Sequence, residues 1–298
     1  MRGPVVALGN FDGVHLGHQR VLSRAVEIGR ECGELAVAAT FDPHPQAVLR
    51  PGTEPKLLTT LELRQEALML YGADKVSVIR FDRDLSNKTP AEFVQDVLIG
   101  ELGASAVVVG ENFRFGHKAA GDVGDLSRLM RDEGRAVYAV QIRAVNGEEE
   151  ISSTRIRELI SLGEVSHAAR LLGRPYLLRG EVVVGDKRGR TIGFPTANVL
   201  ADPAAVVPAR GVYAGSVRVG DEEYAACPNV GVAPTFERGE SRVEAYLLDF
   251  EGDLYGRTVD VSFTDLIRGE KKFSGVEELK TQIGRDVEAA RRLARDGT

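Results

Sequence analysis

The sequence predicts an α/β domain with a parallel sheet, followed by an antiparallel β domain that ends in a helix. Up to residue 172, short apolar runs alternate with helical patterns. From about residue 176 to 263, strand patterns follow one another between glycine-containing turns, as in a barrel or a sandwich. A length of 298 residues suits two domains, and we place them at residues 1–172 and 173–298.

The first domain contains five apolar runs that we predict to be strands. They show no polar alternation, which indicates strands buried on both faces of a parallel sheet. Helices between them form right-handed βαβ units, and one helix begins at the capping box Thr89-x-x-Glu92, with Pro90 at its first position. The predicted strands are Val5–Gly9, Leu35–Thr40, Val76–Arg80, Ala106–Gly110 and Ala136–Val140.

The second domain begins at Gly173-Arg174-Pro175-Tyr176, where glycine and proline end the preceding helix. Val219-Gly220-Asp221-Glu222 is a hairpin signal. Ser274-x-x-Glu277 predicts the cap of an amphipathic terminal helix that runs to about Arg295. The predicted strands are Leu177–Gly185, Val212–Val219, Glu222–Val230, Arg242–Phe250 and Thr258–Phe263.

The composition disfavours several classes of protein. With 38 basic and 44 acidic residues, a net charge of −6 and no tryptophan, a nucleic-acid-binding protein is disfavoured. Two distant cysteines, Cys32 and Cys227, suggest a reducing, cytoplasmic compartment and no zinc site. The longest aliphatic runs are far shorter than the ~20 residues of a membrane helix. The first residues form a predicted strand rather than a signal peptide.

A candidate phosphate site follows the first strand, where Gly9 to His18 opens a helix. Phosphate groups bind at such helix starts in open α/β sheets. His15 and His18 share one side of the helix, Gly17 leaves room for a ligand, and protonated imidazoles stabilise phosphate charge. An isolated HxxH is more often a surface pair or a metal site, but the strand-turn-helix context favours phosphate. Neither GxGxxG nor GxxxxGK[ST] occurs.

Two further segments have the composition of phosphate sites. Residues 151–157, ISSTRIR, place three hydroxyls and two guanidiniums at a helix start, the make-up of a triphosphate clamp. The alternative is an ordinary N-cap with solvated arginines. Residues 185–198 join a glycine-rich basic turn to Pro195-Thr196-Ala197-Asn198. The Thr196 hydroxyl and the Asn198 amide oxygen can ligate Mg²⁺, and the alternative is a basic surface hairpin.

The motifs GNFDGVHLGH and ISSTRIR resemble those of the HxGH nucleotidylyltransferases. Together with TFDPHP at residues 40–45 and GENFRFG at residues 110–116, they resemble the adenylyltransferase module of the prokaryotic bifunctional riboflavin kinase/FMN adenylyltransferases, also called FAD synthetases. The resemblance implies an α/β domain with a parallel Rossmann-like sheet. It also implies transfer of AMP from ATP to FMN, which gives FAD and pyrophosphate.

The resemblance assigns residues to this first site. His15 and His18 contact the ATP phosphates as catalytic residues, and no base is required because the FMN phosphate is already a nucleophile. Many relatives carry arginine where this chain has Ala119, and Lys118 lies beside it. The implied ATP-binding residues are Gly9, Asn10, Phe11, Gly17, Asn112, Ser153, Thr154 and Arg157, and the implied flavin-binding residues are Phe41, Asp42, Pro43, His44 and Pro45.

The second half resembles the flavokinase module of the same family through GVYA (211–214), NVGxxPTF (229–236) and VEAYLLDF (243–250). The resemblance implies a six-stranded antiparallel barrel with a C-terminal helix. Glu244 becomes the general base for the riboflavin 5′-hydroxyl, and it shares a strand face with Tyr246 and Leu248. The implied ATP-binding residues are Gly185, Lys187, Gly189, Arg190, Gly193, Pro195, Thr196 and Asn198, of which Thr196 and Asn198 also bind Mg²⁺, and the implied flavin-binding residues are Arg268, Glu270 and Phe273.

The sequence therefore predicts an enzyme that converts riboflavin to FMN and FMN to FAD, with ATP and Mg²⁺ in each step. One alternative is that only one module is active, with the adenylyltransferase impaired through Ala119. A second is adenylyl transfer to another acceptor, which the flavokinase module argues against. A third is a flavin- or nucleotide-binding sensor without turnover, expected to lack His15, His18 or Glu244, yet all three are present. The oligomeric state is left open.

Overall fold

The computed structural model describes residues 2–142, 151–185, 192–232 and 241–296. The chain forms two compact units. The first is Met1–Pro55 with Leu61–Ser153, and the second is Lys56–Thr60 with Thr154–Thr298. Each unit is described by itself. Within the described residues, no helix is both long and apolar enough to cross a membrane.

The first unit is built on a five-stranded parallel sheet, as predicted. Its order is β3-β2-β1-β4-β5, so the chain winds outward from β1 in both directions. The strands are β1 (Val5–Leu8), β2 (Ala36–Asp42), β3 (Lys75–Arg80), β4 (Ala106–Gly110) and β5 (Ala136–Val140).

Helices cover both faces of this sheet. The capping box predicted at Thr89 is confirmed, since the Thr89 hydroxyl accepts from the Glu92 N–H and the Glu92 carboxylate accepts from the Thr89 N–H. The helices are α1 (Leu16–Cys32), α2 (Pro45–Leu49), α3 (Leu61–Leu70), α4 (Arg83–Asn87), α5 (Pro90–Glu92), a π-helical segment (Phe93–Glu101), a 3₁₀ turn (His117–Ala119) and α6 (Val123–Asp132).

Two apolar cores lie on opposite faces of the sheet because successive strand residues point to opposite sides. Val6 and Leu8 of β1 pack with the π-helical segment and α6, whereas Val5 and Ala7 pack with α1 and α3. Burial on both faces is confirmed for β1 and β4. It is wrong for β3 and β5, which are largely half-buried because they are the edge strands.

The second unit is a closed antiparallel barrel followed by a long helix, which confirms the predicted fold. Six strands close in the order β11-β6-β7-β10-β9-β8, with β8 pairing back to β11, and β12 pairs with the other end of β8. The elements are α7 (Ser153–Ser161), α8 (Val165–Leu172), β6 (Tyr176–Val183), β7 (Ala197–Ala201), β8 (Gly211–Val219), β9 (Glu222–Val232), β10 (Ser241–Leu247), β11 (Thr258–Phe263), β12 (Asp265–Arg268) and α9 (Val276–Asp296).

Local signals located most of these elements. The hairpin signal is confirmed, because Val219 pairs with Glu222 across a two-residue turn in which Gly220 has φ 65°. Gly173, with φ 73°, ends α8 as predicted. The sequence did not predict β7 and β12. Among the described residues the partner of Ser274 at the start of α9 is Glu278, not Glu277, and its carboxylate accepts from the Ser274 N–H at 3.0 Å.

Helices α7 and α8 pack within the barrel unit. A Cβ on Gly163, between the two helices, would lie 3.1 Å from the Tyr213 hydroxyl and 3.6 Å from Leu266. The segment Lys56–Thr60 also joins this unit, since the Leu57 N–H donates to the Ala204 carbonyl at 2.7 Å. These contacts extend the folded unit beyond the barrel strands.

Helix α9 covers part of the outer face of the barrel. Its Val287 and Ala290 pack with Val212, Cys227 and Leu248, which belong to or follow strands β8, β9 and β10. Burial raises the pKa of the Cys227 thiol to about 12. The helix therefore shields these strand residues from solvent.

Candidate active sites

The first candidate site lies at the carboxyl edge of the parallel sheet, where its strand order reverses. Strands β1 and β4 are neighbours, and the loops that follow them leave from the same edge. Such a switch point is where open α/β sheets form their ligand crevice. The loop after β1 carries Gly9 to His15, and the loop after β4 carries Asn112.

The loop after β1 has an unusual backbone. Phe11 and Val14 have φ angles of 50° and 41°, in the left-handed region that favours glycine, and Gly13 between them has φ 84°. Both non-glycine side chains are buried, so core packing holds this conformation. Left-handed residues that burial maintains in this way are common at ligand sites.

His15 and His18 lie together, as their spacing predicted. Their imidazole rings stack with centroids 3.6 Å apart, and the Phe11 ring meets His18 edge-on at 5.3 Å. His15 is 3% exposed and is the N-cap of α1, where its Nδ1 accepts from the His18 N–H at 3.3 Å. Because Nδ1 accepts, the proton of neutral His15 resides on Nε2, which can donate a hydrogen bond.

Gly17 is required by close packing around these imidazoles. A Cβ at this position would clash with Ile142 and lie 3.1 Å from Cε1 of His15. From the sequence we predicted that Gly17 leaves room for a ligand. The structure shows in addition that a side chain here would displace the His15 ring.

Ser153 reaches the same loop. Its hydroxyl donates to the Asp12 carbonyl at 2.9 Å, so this predicted ATP-binding residue lies beside the histidine loop. Thr154 belongs to the second unit. Arg157 belongs there as well, and its Nε donates to the Lys56 carbonyl at 2.7 Å.

The predicted flavin segment forms a compact turn after β2. Phe41 is buried and its ring meets Phe81 edge-on, whereas Asp42, His44 and Pro45 are half-buried and Pro43 is exposed. The peptide bond between Asp42 and Pro43 is cis. His44 is the N-cap of α2, since its Nδ1 accepts from the Gln46 N–H at 3.2 Å.

The segment after β4 leaves Asn112 exposed at the crevice edge. Ala119, where many relatives are expected to carry arginine, has φ 56°, and its carbonyl accepts from Nε of Arg114 at 3.1 Å. Lys118 is exposed beside it with φ 54°. The Arg114 guanidinium thus lies close to Ala119, and Lys118 precedes it in the chain.

The second candidate site is a row of polar residues across three strands of the barrel. Asn198 on β7 and Asn229 on β9 both pair with Glu244 on β10, so all three side chains share one face. Tyr246 lies two residues along the same face and packs in the cluster under α9, as does Leu248, which confirms the predicted face. Asn198 is 5% exposed and Glu244 is half-buried.

Sequence reasoning did not single out Asn229. Only the register of the β9–β10 pairing places it opposite Glu244, and register is not readable from a single strand.

The segment before β7 is fixed by aromatic packing. Phe194 meets Tyr246 edge-on with ring centroids 5.6 Å apart. Gly193 has φ 89°, Pro195 is exposed and Thr196 is half-buried immediately before the strand. Gly185 lies two residues after the end of β6. The predicted ATP-binding residues Lys187, Gly189 and Arg190 lie outside the described residues.

Arg268, one of the predicted flavin-binding residues, is engaged within the barrel unit. Its Nε and Nη2 donate to the Asp286 carboxylate on α9, at 3.0 and 2.8 Å. Phe273 lies under two cations, with Arg268 5.7 Å and Lys271 5.3 Å from its ring centroid. Glu270 is exposed and approaches Arg210 at 4.0 Å. The predicted flavin segment therefore includes a fixed arginine and a partly covered aromatic ring.

Two family models match this chain in succession. The FAD synthetase model matches residues 1–155, and the riboflavin kinase model matches residues 172–294. Proteins described as bifunctional riboflavin kinase/FMN adenylyltransferase are similar over nearly the whole chain. The protein from Listeria monocytogenes is 39% identical, with 96% of this chain and 91% of the relative covered.

This chain belongs to the bifunctional riboflavin kinase/FMN adenylyltransferase family. A family protein from Bacillus subtilis is also 39% identical, over 96% of this chain and 91% of its own length. A crystal structure described as a macrolide-efflux protein from Streptococcus pneumoniae has a TM-score of 0.87 and 33% identity, covering 98% of this chain and 95% of that one. The two-module architecture is thus shared along the full length.

Proposed function

We propose that this chain makes FAD from riboflavin in two ATP-dependent steps. The barrel module phosphorylates riboflavin to FMN, and the α/β module transfers AMP from ATP to FMN, releasing pyrophosphate. One observation carries this proposal: both family models match in order along a chain that is 39% identical to bifunctional relatives. We assign residues 1–172 to the adenylyltransferase and residues 173–298 to the kinase.

In the kinase step, we assign Glu244 as the general base. Its carboxylate takes the proton of the riboflavin 5′-hydroxyl, whose oxygen then bonds to the γ-phosphorus of ATP as the bond to ADP breaks. A neutral alcohol requires such a base. The pairing of Glu244 with Asn198 and Asn229 supports the assignment, because two amides beside the carboxylate can fix its orientation.

The residues around Glu244 suit Mg²⁺ as the accompanying ion. Thr196 and Asn198 offer a hydroxyl and an amide oxygen, and hard oxygen donors are the type that Mg²⁺ takes in proteins. When bound, the ion would neutralise phosphate charge. We assign the ATP phosphates to Gly185, Gly193, Pro195 and this pair, and the riboflavin ring to the segment with Arg268, Glu270 and Phe273.

In the adenylyl step, the FMN phosphate attacks the α-phosphorus of ATP and pyrophosphate leaves. No base is needed, because the FMN phosphate is ionised near pH 7. Catalysis then depends on bringing two polyanions into line and neutralising them. We assign His15 and His18 to the ATP phosphates, with Nε2 of His15 as a hydrogen-bond donor.

The remaining residues of the adenylyl site follow from the motifs. The Ser153 hydroxyl already lies at the histidine loop, and we assign it, with Thr154 and Arg157, to the triphosphate. The flavin is assigned to the turn that follows β2. The further ATP-binding residues are Gly9, Asn10, Phe11, Gly17 and Asn112, and the flavin-binding residues are Phe41, Asp42, Pro43, His44 and Pro45.

We propose a cytoplasmic location. Both cysteines are free, Cys32 exposed and Cys227 buried, which suits a reducing compartment. Small molecules, namely riboflavin, FMN and ATP, are the proposed partners.

Chromatography of flavins tests the proposed function. The purified chain is incubated with ATP and Mg²⁺, once with riboflavin and once with FMN. We expect FAD from both substrates, with FMN as an intermediate in the first. FMN without FAD would contradict the adenylyl step, FAD from FMN alone would contradict the kinase step, and no product would contradict both.

A further inference from the structure

Arg64 is a buried arginine that the assigned chemistry does not use. It lies on α3 and is 1% exposed, the largest fully buried side chain among the described residues. Arginine is rarely buried, because removing a guanidinium from water is costly unless its N–H groups are hydrogen-bonded. The hydrogen bonds of the Arg64 guanidinium therefore indicate its structural role.

The Arg64 guanidinium connects the two loops of the adenylyl site. Its Nη1 donates to the Phe41 carbonyl at 3.1 Å and to the Thr40 hydroxyl at 3.3 Å. The Thr40 hydroxyl in turn donates to the Asn10 carbonyl at 2.9 Å. Phe41 begins the flavin turn, and Asn10 lies in the loop that leads to His15. One side chain thus holds the start of both segments.

The charged groups near Arg64 also come from both loops of the adenylyl site. Burial lowers the pKa of Arg64, and the Asp12 and Asp42 carboxylates, one from each loop, oppose this by favouring its charged form. Asp12 is itself buried. Nε of Arg64 has no hydrogen-bond partner among the described residues. The fully buried cation is therefore held by backbone and hydroxyl oxygens between two acidic loops.

We propose that Arg64 is a positioning residue for adenylyl transfer, which fixes the loop around Asn10 relative to the flavin turn that starts at Phe41. This inference rests on the proposed function, because the FMN phosphate must approach the α-phosphorus of ATP in line. Misplacement of reacting groups by about 1 Å can cost about 100-fold in rate. The connection through Thr40 sets the separation of the two substrate segments.

Steady-state kinetics of four variants test the proposal in the full chain. Arg64→Met removes the cation and its hydrogen bonds, Arg64→Lys keeps the charge, and Thr40→Val removes only the connecting hydroxyl. Leu68→Ala is the matched control, since Leu68 is fully buried on the same helix but packs in the core formed with α1. Riboflavin phosphorylation in the same chain reports on its integrity.

We expect Arg64→Met to lower kcat for FAD formation by about 100-fold, with the KM values of FMN and ATP changed by less than about threefold. Arg64→Lys should restore part of this loss, and Thr40→Val should lower kcat by about tenfold. Leu68→Ala should lower the Tm but leave the kcat of FAD formation near that of the wild type at a temperature where the chain is folded.

Several results would overturn the inference. Arg64→Met with unchanged kcat would do so, as would a kcat loss in Leu68→Ala equal to that in Arg64→Met at equal loss of Tm, since this indicates a structural role alone. If Arg64→Met does not fold, an unchanged kcat in both Arg64→Lys and Thr40→Val decides against it. A wild-type chain that makes no FAD from FMN overturns the proposed function, and the inference with it.

Discussion

At the scale of single residues, the two thiols of the chain occupy opposite environments. Cys32 ends helix α1 and is exposed, whereas Cys227 is 7% exposed under helix α9. Burial, with the nearby Asp286 carboxylate adding to it, raises the pKa of Cys227 to about 12. Only a thiolate reacts rapidly with disulfide reagents.

We therefore expect a chromogenic disulfide reagent at pH 8 to label Cys32 rapidly and Cys227 only on unfolding. Counting the released chromophore in buffer and in denaturant checks this. Cys32→Ser should abolish the rapid phase. Rapid labelling of two thiols in the native chain would contradict the burial of Cys227.

The residue scale also shows the limits of sequence reasoning. The spacing of His15 and His18 predicted that they face one side, and their stacked rings confirm it. No local pattern distinguishes Arg64 from a solvated helix arginine, because its burial arises where α3 meets the end of β2. Likewise, the pairing of Arg268 with Asp286 joins residues from separate elements.

At the scale of elements, the packing around the start of helix α1 requires glycine at position 17. A methyl group on Gly17 would clash with Ile142 and crowd the His15 ring. Gly284 on α9 offers a matched control, because a Cβ there meets nothing within 4 Å. The same substitution thus has opposite consequences on the two helices.

We expect Gly17→Ala to lower the rate of FAD formation from FMN by about tenfold or more, since His15 must move. Riboflavin phosphorylation should be unchanged. Gly284→Ala should leave both activities intact and raise the free energy of unfolding by about 0.5–1 kcal/mol through helix propensity. Flavin chromatography and urea unfolding measure these effects. An unchanged FAD rate in Gly17→Ala would contradict the role given to His15.

The start of helix α9 has a pH-dependent cap. The Ser274 N–H and hydroxyl donate to the Glu278 carboxylate, and Lys271 pairs with it, so its pKa is lowered to about 2. A carboxylate whose pKa is depressed in the folded chain stabilises the fold at pH values above its pKa in the unfolded chain, which is about 4.3. That contribution is lost as the pH falls toward 2.

We expect Glu278→Gln to lower the urea midpoint of the barrel unit at pH 6, and the difference from the wild type to shrink as the pH falls to about 3. Glu277→Gln is the control, since that carboxylate pairs with Lys280 rather than with the Ser274 N–H. A difference that stays constant with pH would contradict the cap.

Element prediction succeeded where the pattern was local. Ala106–Gly110 and Thr258–Phe263 match the predicted bounds. Strand β7 was not predicted because the buried Asn198 breaks its apolar pattern. The exposure of β3 and β5 depends on their position at the sheet edges, and strand order is a property of the whole sheet.

At the scale of the whole molecule, the compact units and the proposed functional modules divide the chain at different places. Helices α7 and α8 belong to the barrel unit although they precede residue 173. Their buried apolar residues include Ile156, Leu159, Ile160 and Val165. The local stop at Gly173 ends a helix, but it does not report where that helix packs.

A fragment of residues 154–298 should therefore be more stable than one of residues 174–298. Burial of each large apolar side chain contributes about 1.5–3 kcal/mol, so the longer fragment should show a clearly higher Tm. Thermal unfolding followed by circular dichroism measures this. Equal Tm values would contradict the packing of α7 and α8 on the barrel.

Two chemistries are proposed to occur at two separate sites of one chain. Glu244→Gln removes the proposed base while keeping an amide in the row, and Glu181→Gln is its control on an exposed position of β6. His15→Asn keeps a side-chain acceptor at the N-cap of α1 but removes Nε2. These two variants separate the two steps.

The most direct measurement is flavin chromatography of the two variants, alone and mixed, with riboflavin, ATP and Mg²⁺. Glu244→Gln should form no FMN yet convert added FMN to FAD, His15→Asn should accumulate FMN, and the mixture should make FAD. The control Glu181→Gln should make FAD from riboflavin without the other variants being added. A variant that loses both steps or keeps both, or a mixture that makes no FAD, would contradict two separate sites.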